Sequence, residues 1–208
     1  MAKRDNAGPD HHDGIGLAGR LLVSLPQLDE GPFAQSIVLI CEHDEEHAFG
    51  VIVNKPVAGL MAVDAVAELP MASDAAASPA GAPVYFGGPC EPQRGFVLHT
   101  SAYESEGTVE IPGGFGLTGT RDALEHLYGD RLTPDTARLV AGHAGWSAGQ
   151  LDDELRRHCW LDLPADPELV FGTPDDEMWN RAIDALGLDA TQLTALSVDH
   201  RAGSRPLN

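Results

Sequence analysis

Two short apolar runs on either side of a charged gap constrain this chain most. "SIVLICEH" (36–43) and "AFGVIVNKP" (48–56) are rich in Val and Ile, the residues that suit a half-buried pleated surface. The acidic "DEE" between them is a polar connection, too short for a crossover. Residues 36 to 54 are therefore expected to form a β-hairpin with His43 to His47 at its tip, the second strand ending at Asn54 and Pro56. The tip spells "HDEEH", the inverted zinc-protease pattern H-x-x-E-H. That chemistry needs a helix, which sets the two histidines on one face. At a hairpin tip the pattern has no such context, and no metal is expected there.

The rest of the chain interleaves strands and helices without a regular βαβ alternation, which points to an α+β fold. "GLMAVDAVAEL" has Met61, Val63, Val66 and Leu69 at loose helical spacing, and "PMASDAAASPAGAP" after it reads as a surface loop. "VYFGGPCEPQRGFVLHT" reads as strand, tight Gly-Gly-Pro turn, strand, and "TVEIPGGFGLTG" as a second turn-interrupted β segment. Thr120 is placed to cap a short helix with Ala123, Leu124, Leu127 and Tyr128 on one face. "ELVFG" suggests a strand. The last helix starts with Thr173 as N-cap, Pro174 at its first position and Asp176 closing a capping box. Its apolar face is Met178, Trp179, Ala182, Ile183 and Leu186, and Gly187 stops it. Residues 1–16 are expected to form a polar, disordered N-terminal tail, 17–198 the domain, and 199–208 a C-terminal tail. His11 and His12 lie in the first of these, where an adjacent pair carries no expected role.

"RLVAGHAGWSAGQLDDELRRHCWL" (138–161) is the stretch most open to a functional reading. A strand ending in glycine leads to a helix with Ser147 as N-cap. Asp152, Asp153 and Glu154 stand near the helix start and Arg156, Arg157 and His158 near its end, the charge order a helix dipole favours. Leu151, Leu155 and Cys159 make one buried stripe. Trp146 plugs a neighbouring core, its indole N–H finding an acceptor. Read functionally, the free N–H groups of the helix start hold an anion or a carbonyl, with Gln150 and His143 lining the site. The three carboxylates there oppose that, and every residue type has a folding role.

Composition excludes several classes. With 32 Asp plus Glu against 13 Lys plus Arg, the formal charge is −19, which repels nucleic-acid phosphates and anionic lipid. Neither the helix near Asp153 nor that near Met178 is basic enough to read a DNA groove. The sequence contains no G-x-S-x-G, Walker A sequence, Rossmann fingerprint or Cys-x-x-Cys pair. Cys41, Cys90 and Cys159 are odd in number and well separated, as expected of reduced thiols. The start "MAKRDNAGPDHHDG" has no apolar h-region and no run approaches membrane-span length, so a cytoplasmic protein is expected. Two further arrangements suggest chemistry. Gly87–Pro89 could form an anion-binding backbone nest, although a tight turn needs the same residues. His99 at a strand end beside Cys90 could form a nucleophile pair, for which neither an oxyanion site nor an orienting partner is evident.

Several of these blocks together resemble the YqgE/AlgH family. "AGHAGWSAGQLDDELRRHCWL" is similar to its GYAGW-x-x-GQLE-x-E motif, "SIVLICEHDEEHAFGVIVNKP" to its strand-hairpin-strand signature, and "FGGPCEPQRGFVLHT" to its GGPV…RGFVLH block. "DPELVFG" and "MWNRAIDALGLD" match its C-terminal pattern, so the likeness runs from about Gly19 to Leu196. Here His143 stands where Tyr is usual, Ala148 for Pro, His47 for Gly and Asp152 for Glu. The resemblance implies one α+β domain with a bifurcated, partly barrel-like mixed β-sheet flanked by helices. It implies no reaction, catalytic residue, metal or cofactor; members are labelled regulators of transcription. The expected function is regulation or interaction through a protein partner or a small ligand, without direct nucleic-acid binding and without a membrane. The alternative is an enzyme or ligand-binding protein whose pocket joins the GGP turn, His99 and the Gly145–Gln150 joint. The candidate surface is Gly87, Gly88, His99, His143, Gly145, Trp146, Gly149 and Gln150.

Overall fold

The computed structural model describes residues 16–25, 28, 30–61, 82–119, 133, 135–188 and 193. The hairpin forms as the apolar runs require. Strands β1 (Arg20–Ser24), β2 (Ile37–His43) and β3 (His47–Ile52) lie side by side, with residues 44–46 turning between the last two. Asn54 closes the hairpin base, its Oδ1 accepting from the Ile37 N–H at 2.8 Å and its Nδ2 donating to the Gln35 carbonyl at 2.9 Å.

The chain then continues differently from its helical spacing. β4 (Pro56–Met61) is a strand, irregular where Gly59 turns to φ +76, so Gly59, Leu60 and Met61 do not start a helix. The remainder of that expected helix, and the one capped by Thr120, lie outside the described residues. β5 (Pro83–Phe86), β6 (Cys90–Thr100), β7 (Thr108–Ile111), β8 (Phe115–Thr118), β9 (Ala137–Ser147) and β10 (Trp160–Pro164) complete the strands. The helices are α1 (Gln150–Arg156), α2 (Pro167–Phe171) and α3 (Asp175–Ala185). The sheet order is β10-β1-β2-β3-β9-β6-β8-β7, with β5 against β9 and β4 against β5. The β5–β9 pairing is parallel and the others antiparallel, making an α+β fold with a mixed sheet.

Strand β9 is where the sheet forks. Ala137–Ala141 pair with β6, Leu139–Ala141 with β5, and Ala144–Ser147 with β3. One face gathers the main core, where Leu21, Leu39, Val51, Phe96, Leu98 and Val140 meet Val170 of α2 and Met178, Ala182 and Ile183 of α3. The opposite face of the β1–β3 half packs Leu22, Val38, Ile40, Ala144, Trp146 and Trp160 against Leu151 of α1.

Three local expectations are corrected. "ELVFG" is helix α2 and not a strand, because Asp166 caps it by accepting from the Glu168 N–H and Pro167 sits where its missing N–H costs nothing. Thr173 does not cap α3, whose cap position is Pro174 without a side-chain bond. The buried Thr173 hydroxyl instead faces the Arg181 guanidinium at 3.4 Å. Ser147 does not cap α1 either; it ends β9, and Gly149 at φ +68 makes the joint.

Helix α3 is tied to the sheet by a buried charge. Arg138 on β9 donates to the Val53 carbonyl and to Asp175 Oδ1 at 2.6 Å, with its guanidinium 4.4 Å over the Tyr85 ring. The Tyr85 hydroxyl donates to the other Asp175 oxygen at 3.2 Å, and burial raises its pKa to about 12. Trp179 adds a bond from its indole to the Ser24 carbonyl at 2.9 Å.

Candidate functional site

The Gly-Gly-Pro segment is neither a hairpin turn nor an anion nest. β5 and β6 do not pair with each other; both pair with β9, so residues 87–89 carry the chain across β9. The crossing is backbone on backbone. A Cβ on Gly87 would stand 2.2 Å from the Gly142 carbonyl oxygen, one on Gly88 2.2 Å from the His143 carbonyl carbon, and one on Gly142 2.5 Å from the Gly88 oxygen. Three glycines are needed because nothing else fits, and Gly142 at φ +75 lets β9 pass beneath without ending. The Gly87 N–H is already given to the Ala141 carbonyl at 2.8 Å, leaving it unavailable to a ligand.

The β9–α1 joint is likewise occupied by its own side chains. Glu154 Oε2 accepts the indole N–H of Trp146 at 2.9 Å and that of Trp160 at 2.8 Å, the two rings meeting edge to face. Its Oε1 accepts from Gln150 Nε2 at 2.9 Å, and Gln150 Oε1 takes the Ser147 N–H and hydroxyl. Trp146 is buried, as expected, and Gln150 locks the joint rather than lining a site. Glu154 and Trp160 were not on the candidate surface. The i, i+4 and i, i+8 spacings from Gln150 and Trp146 to Glu154 are visible in the sequence, but Trp160 arrives only through β10.

His99 is fully buried and fully used. Its Nδ1–H donates to the Thr100 carbonyl at 2.9 Å, and its Nε2 accepts from the Thr118 hydroxyl at 2.8 Å. Thr118 in turn accepts from Thr108, which accepts from the Ser105 N–H. Because a carbonyl only accepts, the proton directions in this chain are fixed with a neutral imidazole, and burial lowers the His99 pKa in agreement. His99 pairs with Ala137, six residues from His143 along β9, or roughly 20 Å at strand rise. Cys90 begins the strand that His99 nearly ends, so the two do not form a nucleophile pair. The single pocket joining Gly87–Gly88, His99 and Gly145–Gln150 is therefore not assembled. An open cleft of about 230 Å³ lies instead beside Tyr103, Glu104, Glu110 and the Gly113–Gly116 turn, lined by none of the candidate residues.

What does come together is a corner where β6 begins beside β9. Gly88, His143 and Gly145 of the expected surface meet here, on the sheet face opposite Trp146, and Phe49, Cys90, Glu91, Arg94 and Phe96 join them. Cys90 is the register partner of His143, and the next partner pair is Gly95 with Ala141, so residues 91–94 bulge away from β9. Phe49 lies on the His143 ring at 4.8 Å, and Phe96 meets it edge-on at 6.4 Å. The Arg94 guanidinium is 5.0 Å above Phe96 and 3.0 Å from Glu91. Glu91, at φ +44, holds its carboxylate 3.9 Å from His143 Nδ1, outside hydrogen-bond reach. That Nδ1 is buried and has no hydrogen-bond partner. Burial is the main cause of a lowered His143 pKa, with Arg94 lowering it further against Glu91. Burial thus favours the neutral imidazole. Bulge register and cross-strand neighbours depend on pairing at long range, which is why Phe49, Glu91 and Arg94 were not foreseen.

At the hairpin tip, His47 faces Asp44 and Glu42, while His43 turns to the other face through its pairing with Ala48. Among the described residues no three His, Cys, Asp or Glu side chains converge as metal ligands. No helix among them is long and apolar enough to cross a membrane.

Comparison with known proteins now bears on this geometry. The AlgH-like family model matches residues 21–191, which spans all ten strands except one residue and all three helices. The chain belongs to the AlgH-like family. It is 40% identical to a UPF0301 protein of Caulobacter vibrioides over 187 residues, covering 89% of this chain and 95% of that one. A UPF0301 protein of Ruegeria pomeroyi is 41% identical over 180 residues, covering 86% and 96%. The solution structure of the AlgH protein from Pseudomonas aeruginosa superposes with a TM-score of 0.70 at 30% identity, covering 92% of this chain and 97% of that one. A crystal structure from Corynebacterium diphtheriae, at 22% identity and a TM-score of 0.64, covers 88% and 92% and shares the fold.

Proposed function

We propose that this AlgH-like protein is a cytoplasmic regulatory or interaction protein that binds a partner segment or a small polar ligand at the β6–β9 corner. The observation that carries the reading is the His143 Nδ1, which makes no hydrogen bond and is set between an aromatic ledge and an exposed Glu91–Arg94 pair. Ser36 Oγ, His43 Nδ1 and Arg138 Nε are also buried without a hydrogen-bond partner, but none of them stands beside an exposed ion pair such as Glu91–Arg94. His99 is engaged by Thr100 and Thr118, and Gln150 and Glu154 by the joint. Direct DNA binding has no matching surface in α1 or α3. Each has more carboxylates than basic residues, and the chain as a whole carries −19.

The test is retention of native cytosolic proteins and small molecules on the immobilised protein, identified by mass spectrometry. Arg94→Glu, an exposed change at the corner, is compared with Arg181→Glu, an exposed change on α3. The reading expects species held by the parent and by Arg181→Glu but lost with Arg94→Glu. Identical retention by all three proteins, or no specific retention by any, contradicts it.

A further inference from the structure

We draw no further inference here: the strongest candidate, the open cleft of about 230 Å³ between β7, β8 and the segment that follows β6, offers only the exposed carboxylates of Glu104 and Glu110 as charged groups, and nothing else among the described residues points to a ligand that fills it.

Discussion

Glu154 gives one oxygen to two indole N–H groups and the other to Gln150, so its loss is felt by every polar group in the joint. Glu154→Ala orphans two partly buried donors at about 1–3 kcal/mol each, and a loss of about 2–4 kcal/mol in urea unfolding is expected. Trp146→Ala empties a filled core site and should cost about 3–5 kcal/mol. Since the two share one cluster, the double variant should lose less than the sum. His99 makes a different prediction. Its folded pKa lies below the ordinary 6.5 because of burial. Above that value neither state binds the proton; below it the unfolded chain binds one and the folded chain resists. Stability contributed through His99 is therefore flat at high pH and falls as pH drops through about 6.5. His143 shifts in the same direction. Between about pH 7.5 and 5.5, His99→Gln should lose less of its own urea midpoint than the parent loses. An equal or steeper loss would mean that His99 titrates alike in both states.

At the scale of elements, the crossing of residues 87–89 over β9 is the feature with least tolerance. Gly142→Ala adds a Cβ that meets the Gly88 oxygen at 2.5 Å on a backbone at φ +75. The chain cannot relieve this without lifting β5 or β6 off β9, so a loss of about 3 kcal/mol or more, or failure to fold, is expected in thermal unfolding. A variant within about 1 kcal/mol of the parent would mean that the crossing is not close-packed. The same element marks the limit of what the sequence reveals. The β2–β3 hairpin was legible because its two β-branched runs and acidic gap are local. Gly142 looked like a strand end, since nothing nearby says that another backbone passes over it. "ELVFG" favoured a strand by residue type, but Asp166 and Pro167 start a helix and prevailed. The α3 face Met178, Ala182 and Ile183 was legible from its period, while its anchor on Arg138 was not, because that pairing spans 37 residues.

For the whole molecule, two sheet halves share β9, and buried or half-buried polar side chains hold two of the helices against them. Arg138 and Asp175 seat α3, and Glu154 seats α1 between two tryptophans. The site legible in the sequence divides along the same line. Gly88, His143 and Gly145 do meet, but Trp146, Gly149 and Gln150 lie on the other face and belong to the joint, and His99 belongs to the core. An overall charge of −19 adds a prediction at this scale: duplex DNA should show no sequence-dependent mobility shift at physiological salt. A shift with pure protein that survives non-specific competitor would give the molecule a different surface from the one described. The central claim is that the β6–β9 corner keeps polar chemistry the fold does not need. Its most direct test is the unfolding free energy of His143→Phe, which replaces a buried nitrogen that makes no hydrogen bond with carbon beside Phe49 and Phe96. The account predicts stability equal to the parent's or higher by up to about 1 kcal/mol, as when a functional residue is traded for packing. A loss approaching the ~3–5 kcal/mol of Trp146→Ala would contradict it, because His143 would then be part of the fold's own framework.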